Sequence, residues 1–124
     1  MSTKKTASQR GRASREKGKA GEREAAKIFR AAGYTEARRA VQFAGKGGGT
    51  ADIIGVPGLR IEVKRVERLN VEAALQQAER DAAEAGDSAV PVVVHRGSGQ
   101  SWKITMRLAD YLERGAGLWE PKKP

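Results

Sequence analysis

Leu59-Arg60-Ile61-Glu62-Val63-Lys64-Arg65-Val66 is the stretch on which the reading of this chain turns. In an extended strand, successive side chains point to opposite faces, so Leu59, Ile61 and Val63 share one face and Glu62 and Lys64 the other. The apolar face belongs against a core, and the other then presents a carboxylate beside an ammonium. Just upstream, Pro57-Gly58 is the pair favoured at the centre of a type II turn. An apolar run over about 51–56 precedes it, and the spacing predicts a hairpin that brings Asp52 into the same neighbourhood. Type II is not the turn best matched to strand twist, but it is compatible with the pairing.

Outward from the hairpin the pattern turns helical on both sides. Over about 17–32, residues at 100° steps gather Ala25, Ile28, Phe29 and Ala32 on one face, and Gly33 stops the helix. Arg38 to Phe43 reads as a strand, and Gly45-Lys46-Gly47-Gly48-Gly49 forms a loop. That loop is not a phosphate-binding P-loop, because no Gly-Lys-Ser/Thr leads into a helix. Downstream, Val71, Ala74, Leu75, Ala78, Ala82 and Ala85 recur at helical spacing up to Gly86, and the narrow alanine stripe implies close packing. Val90 to His95 suits a strand buried on both faces; Trp102, Ile104 and Met106 alternate with Lys103 and Thr105 in the next. Leu108, Tyr111 and Leu112 mark a short last helix. Helix, strand, hairpin, helix, hairpin, helix describes one α/β or α+β domain, a mixed sheet flanked by helices. The expected divisions are a disordered basic arm over 1–16, the domain over 17–114 and a tail over 115–124.

The 124 residues suffice for one modest core. Lys and Arg total 24 against 15 Asp and Glu, a formal charge of +9, which points to a polyanionic partner. The lack of cysteine excludes disulfides, thiolate chemistry and cysteine-ligated zinc. His95 is the only histidine, and at the end of an apolar strand it reads as structural. No apolar run approaches the roughly 20 residues of a membrane span, so no membrane association and a cytoplasmic protein are expected.

Two carboxylates and a lysine converging on a hairpin suit phosphodiester hydrolysis. Hard oxygen ligands hold magnesium, which activates water and offsets charge in the transition state, and Lys64 can orient the water or neutralise that charge. Taken alone, Glu62 and Lys64 read first as a solvated strand face with an ion pair of little worth. The first helix changes the weighing. Glu22 lies within about 60° of the centre of its apolar face and Glu24 about 100° away, so Glu22 points towards the sheet. Gly18 and Gly21 on that face permit close approach of helix and hairpin. The alternative for Glu22 is an acid favoured near a helix N-terminus by the dipole.

KGKAGERE (17–24), then TADIIG (50–55), then IEVK (61–64) resembles the PD-(D/E)XK nuclease superfamily, and within it the archaeal and phage Holliday-junction resolvases. The likeness runs from about Lys17 to Met106, with a proline-free version of the family's Asp motif. It implies a restriction-endonuclease-like α/β fold with Glu22, Asp52, Glu62 and Lys64 as catalytic residues. It also implies magnesium, replaceable by manganese, on Glu22, Asp52, Glu62 and the Val63 carbonyl. The expected protein is a homodimer that cuts opposed strands of a four-way DNA junction by paired symmetric nicks, in a prokaryotic or phage-infected cell. The same motifs fit a restriction or repair nuclease of the superfamily; a basic DNA-binding module that does not cut is opposed by the intact four-residue set.

Candidate DNA contacts are Arg23, beside Glu22, and Arg38 or Arg39, of which Arg39 is preferred. Lys46 joins them because its glycine neighbours let a phosphate backbone come close. Each has a plain alternative as an exposed charge. Gln76 or Gln77 is a further candidate to reach the site, Trp102 reads as core, and Trp119 lies outside any pattern.

Overall fold

A computed structural model describes residues 6–41 and 50–114. In chain order the elements are α1 (Ala7–Ala31), β1 (Arg38–Arg39), β2 (Ile53–Ile54), β3 (Leu59–Arg65), α2 (Val71–Ala85), β4 (Val90–Arg96), β5 (Lys103–Thr105) and α3 (Leu108–Arg114). The five strands lie in the order β1-β2-β3-β4-β5. All neighbours are antiparallel except β3 and β4, which run parallel from Leu59↔Val90 to Arg65↔Arg96. A parallel pair needs a long crossover, and α2 supplies it. The result is the expected α/β arrangement, a mixed sheet with flanking helices.

Each sheet face has its own core. On one, Ala25 and Ala26 of α1 pack with Ile53, Ile61, Val63, Val92 and Val94. On the other, Ala74, Leu75 and Ala78 of α2 pack with Val93. The face bearing Glu62 and Lys64 is therefore not a solvated strand face. It also carries Arg60, only 4% exposed and paired with Asp87 at 3.2 Å, while Glu62 and Lys64 are half-buried.

The turn between β2 and β3 is as read: Leu59 N–H reaches Val56 C=O at 3.3 Å, and Gly58 takes the positive φ of 85° that a type II turn demands. Asn70 caps α2 and Gly86 ends it in the left-handed conformation. The first strand is shorter than expected, two residues, and 42–49 with the glycine loop and Lys46 lie outside the described residues, as does 115–124 with Trp119.

Residues 1–5 of the expected disordered arm over 1–16 lie outside the described residues, and from Ala7 on it is helical. α1 starts at Ala7, well before Lys17, because Thr6 and Gln9 form a reciprocal capping box and the following turns are rich in Ala, Arg, Lys and Glu. Hydrophobic periodicity detects only the packed half of such a helix. On that half the buried residues are Gly21, Ala25 and Ala26, with Phe29 partly covered, whereas Ile28 is 48% exposed and Ala32 lies open.

Of the two glycines expected to allow close approach, only Gly21 is used so. A Cβ there would lie 2.7 Å from Cβ of Arg65, whereas one at Gly18 would meet nothing. Gly21→Ala is therefore expected to destabilise by about 1–2 kcal/mol, overpacking outweighing the helix propensity it gains. Chemical denaturation checks this; a stability equal to the parent's would mean that the helix moves away freely.

Candidate active site

Asp52 immediately precedes β2, and its position follows from where that strand stops. Its N–H donates to Ile61 C=O at 2.9 Å, and its Oδ2 accepts from Val63 N–H at 2.8 Å. Among the described residues β2 registers with β3 only at Ile53↔Ile61, so the Asp52 carboxylate serves Val63 in place of a strand partner. The N–H and C=O of a strand residue point to the same side, so the Val63 carbonyl opens towards Asp52 as well.

Glu62 hydrogen-bonds the Asp52 carboxyl, and its pKa is pushed up to about 8, first by burial and then by the Asp52 charge. Glu22 enters from α1. Its side chain is 14% exposed against 44% for Glu24, which confirms the inward angle read from the helix. Burial raises its pKa, Asp52 adds to the rise, and Arg39 and Arg23 oppose it. Asp52 is thus the electrostatic hinge between an acid on the helix and an acid on the strand.

Arg39 Nε stands 3.3 Å from Glu22 Oε1, yet both atoms are buried and neither makes an aligned hydrogen bond. A buried carboxylate oxygen in that state is costly and open to a better partner. Among the described residues no group of three or more acid, histidine or cysteine side chains is gathered closely enough to hold a metal ion. What the structure brings together is a chain of carboxylates, Glu22, Asp52 and Glu62, beside an outward-turned carbonyl. Lys64 shares the Glu62 face, and among the described residues it makes no hydrogen bond or ion pair.

The remaining candidates divide. Arg23 is exposed beside Glu22, and Arg38 is exposed with its guanidinium on Glu36 C=O at 3.1 Å. Arg39, the preferred DNA contact, is instead occupied by Glu22, a pairing between α1 and β1 that no local pattern signals. Gln76 and Gln77 lie on the surface, Gln76 on Glu72 at 3.2 Å. His95 is buried and shares a 2.9 Å hydrogen bond with Thr105 Oγ1, with burial and Lys103 lowering its pKa, which suits a structural role. Trp102 packs partly against the core, and its N–H donates to Glu24 at 2.7 Å. The Glu24 carboxylate also takes a two-armed ion pair from Arg96. The more exposed helix acid thus braces β4 and β5 and is not part of the carboxylate chain. Among the described residues no helix is long and apolar enough to cross a membrane.

The chain matches no family model, no curated protein and no solved structure.

Proposed function

We propose that this protein is a metal-dependent DNA endonuclease of the PD-(D/E)XK type, with a restriction-endonuclease-like fold. Its substrate on this reading is branched DNA, a four-way junction resolved by paired nicks from a homodimer. The observation that carries the reading is the buried Glu22 oxygen, which has an ion-pair contact with Arg39 but no aligned hydrogen bond, together with the Asp52 charge that raises the pKa of both Glu22 and the half-buried Glu62. Such a set offers only hard oxygen donors, the chemistry that suits magnesium, with manganese able to substitute.

Glu22, Asp52, Glu62 and the Val63 carbonyl are the groups that would hold the ion. Bound there, it would supply an activated water and offset charge building on the attacked phosphate. The chain's own residues do the rest. Lys64, without a protein partner among the described residues, holds a positive charge where negative charge develops. Arg23, on the helix next to Glu22, clamps a phosphate and sets the register without reading bases. Exposed apolar side chains of α1, β5 and α3, namely Ile28, Ile104, Leu108, Tyr111 and Leu112, support a partner copy.

A non-cutting DNA-binding module is the second reading. It is favoured by Arg39, which already sits on Glu22 where a cation would.

The test is incubation of the full chain with labelled four-way junctions, flaps and linear duplex, in magnesium or EDTA, beside Asp52→Asn. Paired symmetric nicks on the junction, lost in EDTA and in Asp52→Asn, are expected. Efficient cutting of linear duplex overturns the junction assignment, and uncut DNA in every tube overturns the nuclease.

A further inference from the structure

The helix α1 has two unlike halves. From Gly21 onwards it packs on the sheet, whereas its residues before Gly21 are exposed or half-exposed. Placed at 100° steps, Arg12, Arg15, Lys19, Arg23 and Lys27 occupy a stripe about 120° wide on the flank next to Glu22. At 1.5 Å per residue the stripe runs about 22 Å, with steps of about 5–6 Å between successive cations. Such steps correspond to one or two nucleotides of a strand rising about 3.4 Å each.

Glu16 is the one acid within this stripe, so these five cations are largely unpaired. Among the described residues Arg12, Arg15, Arg23 and Lys27 make no hydrogen bond or ion pair, and Lys19 has only Glu16 at 3.8 Å. On and facing the opposite flank, three cations are held by two carboxylates. Lys17 and Arg65 both bind Glu67, at 3.0 and 3.1 Å, and Arg96 binds Glu24. The cations are paired on one side of the helix and left largely unpaired on the side that leads to the acids.

We infer that this flank of α1 is a rigid strut for double-stranded DNA, lying along a phosphate backbone that runs away from the Glu22–Asp52–Glu62 cluster. The inference rests on the nuclease reading for what happens at the cluster, but the binding surface stands on its own charge and geometry. It names the partner's chemistry as a duplex backbone held irrespective of sequence. It also replaces a loose charged arm with a support of fixed direction.

The test uses the full chain carrying Asp52→Asn, in EDTA, with fluorescence anisotropy on a labelled 30-base-pair duplex across a salt series. Replacing Arg12, Arg15 and Lys19 together by Ala is expected to weaken binding about 10- to 100-fold in dilute salt. It should also lower the slope of log affinity against log salt by about 2–3, near 0.9 per lost phosphate contact. None of the three is buried, so an unchanged melting temperature is expected alongside. Ala13→Pro keeps every charge and breaks the helix, which circular dichroism verifies; a five- to tenfold loss of affinity is expected. An unchanged salt slope in the triple variant overturns the surface. Full affinity in an Ala13→Pro protein that has lost helicity overturns the rigid strut. If the parent cuts no DNA at all while these losses appear, the nuclease reading fails and the strut survives.

Discussion

Asp52→Asn is expected to lower the rate of magnesium-dependent strand cleavage by about 10³-fold or more while the protein stays folded. The two halves of that expectation come from two jobs of one side chain. As a hydrogen-bond acceptor, Asp52 Oδ2 holds Val63 N–H at 2.8 Å, and the amide oxygen of Asn can take over that bond. As a charge, it is what links Glu22 and Glu62 electrostatically, and Asn removes that outright. Single-turnover cleavage at saturating DNA, beside a thermal melt, separates the jobs. A rate within tenfold of the parent's would remove Asp52 from the chemistry, and with it the proposed site. A companion, Lys64→Ala, is expected to cost about 10²–10³-fold in rate with little change in DNA affinity, because Lys64 serves the developing charge rather than the ground state.

Local chemistry carried much of the fold. Alternation in β3, Pro57-Gly58 at its head and the alanine stripe of α2 ending at Gly86 each depend on residues a few positions apart, and each stands as read. The choice of Glu22 over Glu24 needed only an angle on a helix. What alternation cannot reveal is the element that lies over a strand. The β3–α2–β4 crossover half-buries Glu62 and Lys64, and that is a property of topology. The Arg39–Glu22 pair has the same origin. The early start of α1 had a local sign, Thr6 with Gln9, but no apolar residue nearby made a helix worth expecting there.

Half-burial of Glu62 leads to the second large effect, in which stability and function oppose each other. With no cation bound, the folded protein retains the Glu62 proton up to about 8, whereas an unfolded carboxyl gives it up near the ordinary 4.5. Between those values the native state binds more protons than the unfolded one, so this group's contribution to stability falls as pH rises through the window. Glu62→Gln is a neutral mimic of the protonated acid and escapes that loss. It is therefore expected to melt higher than the parent at pH 8 and nearly level with it at pH 4.5. The difference is on the order of 1–2 kcal/mol after allowance for solvent screening and for the shared interaction with Asp52. Magnesium should erase the gap by binding the parent alone, raising its melting temperature in proportion to RT ln(1 + [L]/Kd). The same substitution should cost the cleavage activity. Melts at the two pH values, with and without magnesium, decide the matter. A Glu62→Gln protein no more stable than its parent at pH 8 would show that Glu62 is comfortably ionised and needs no cation.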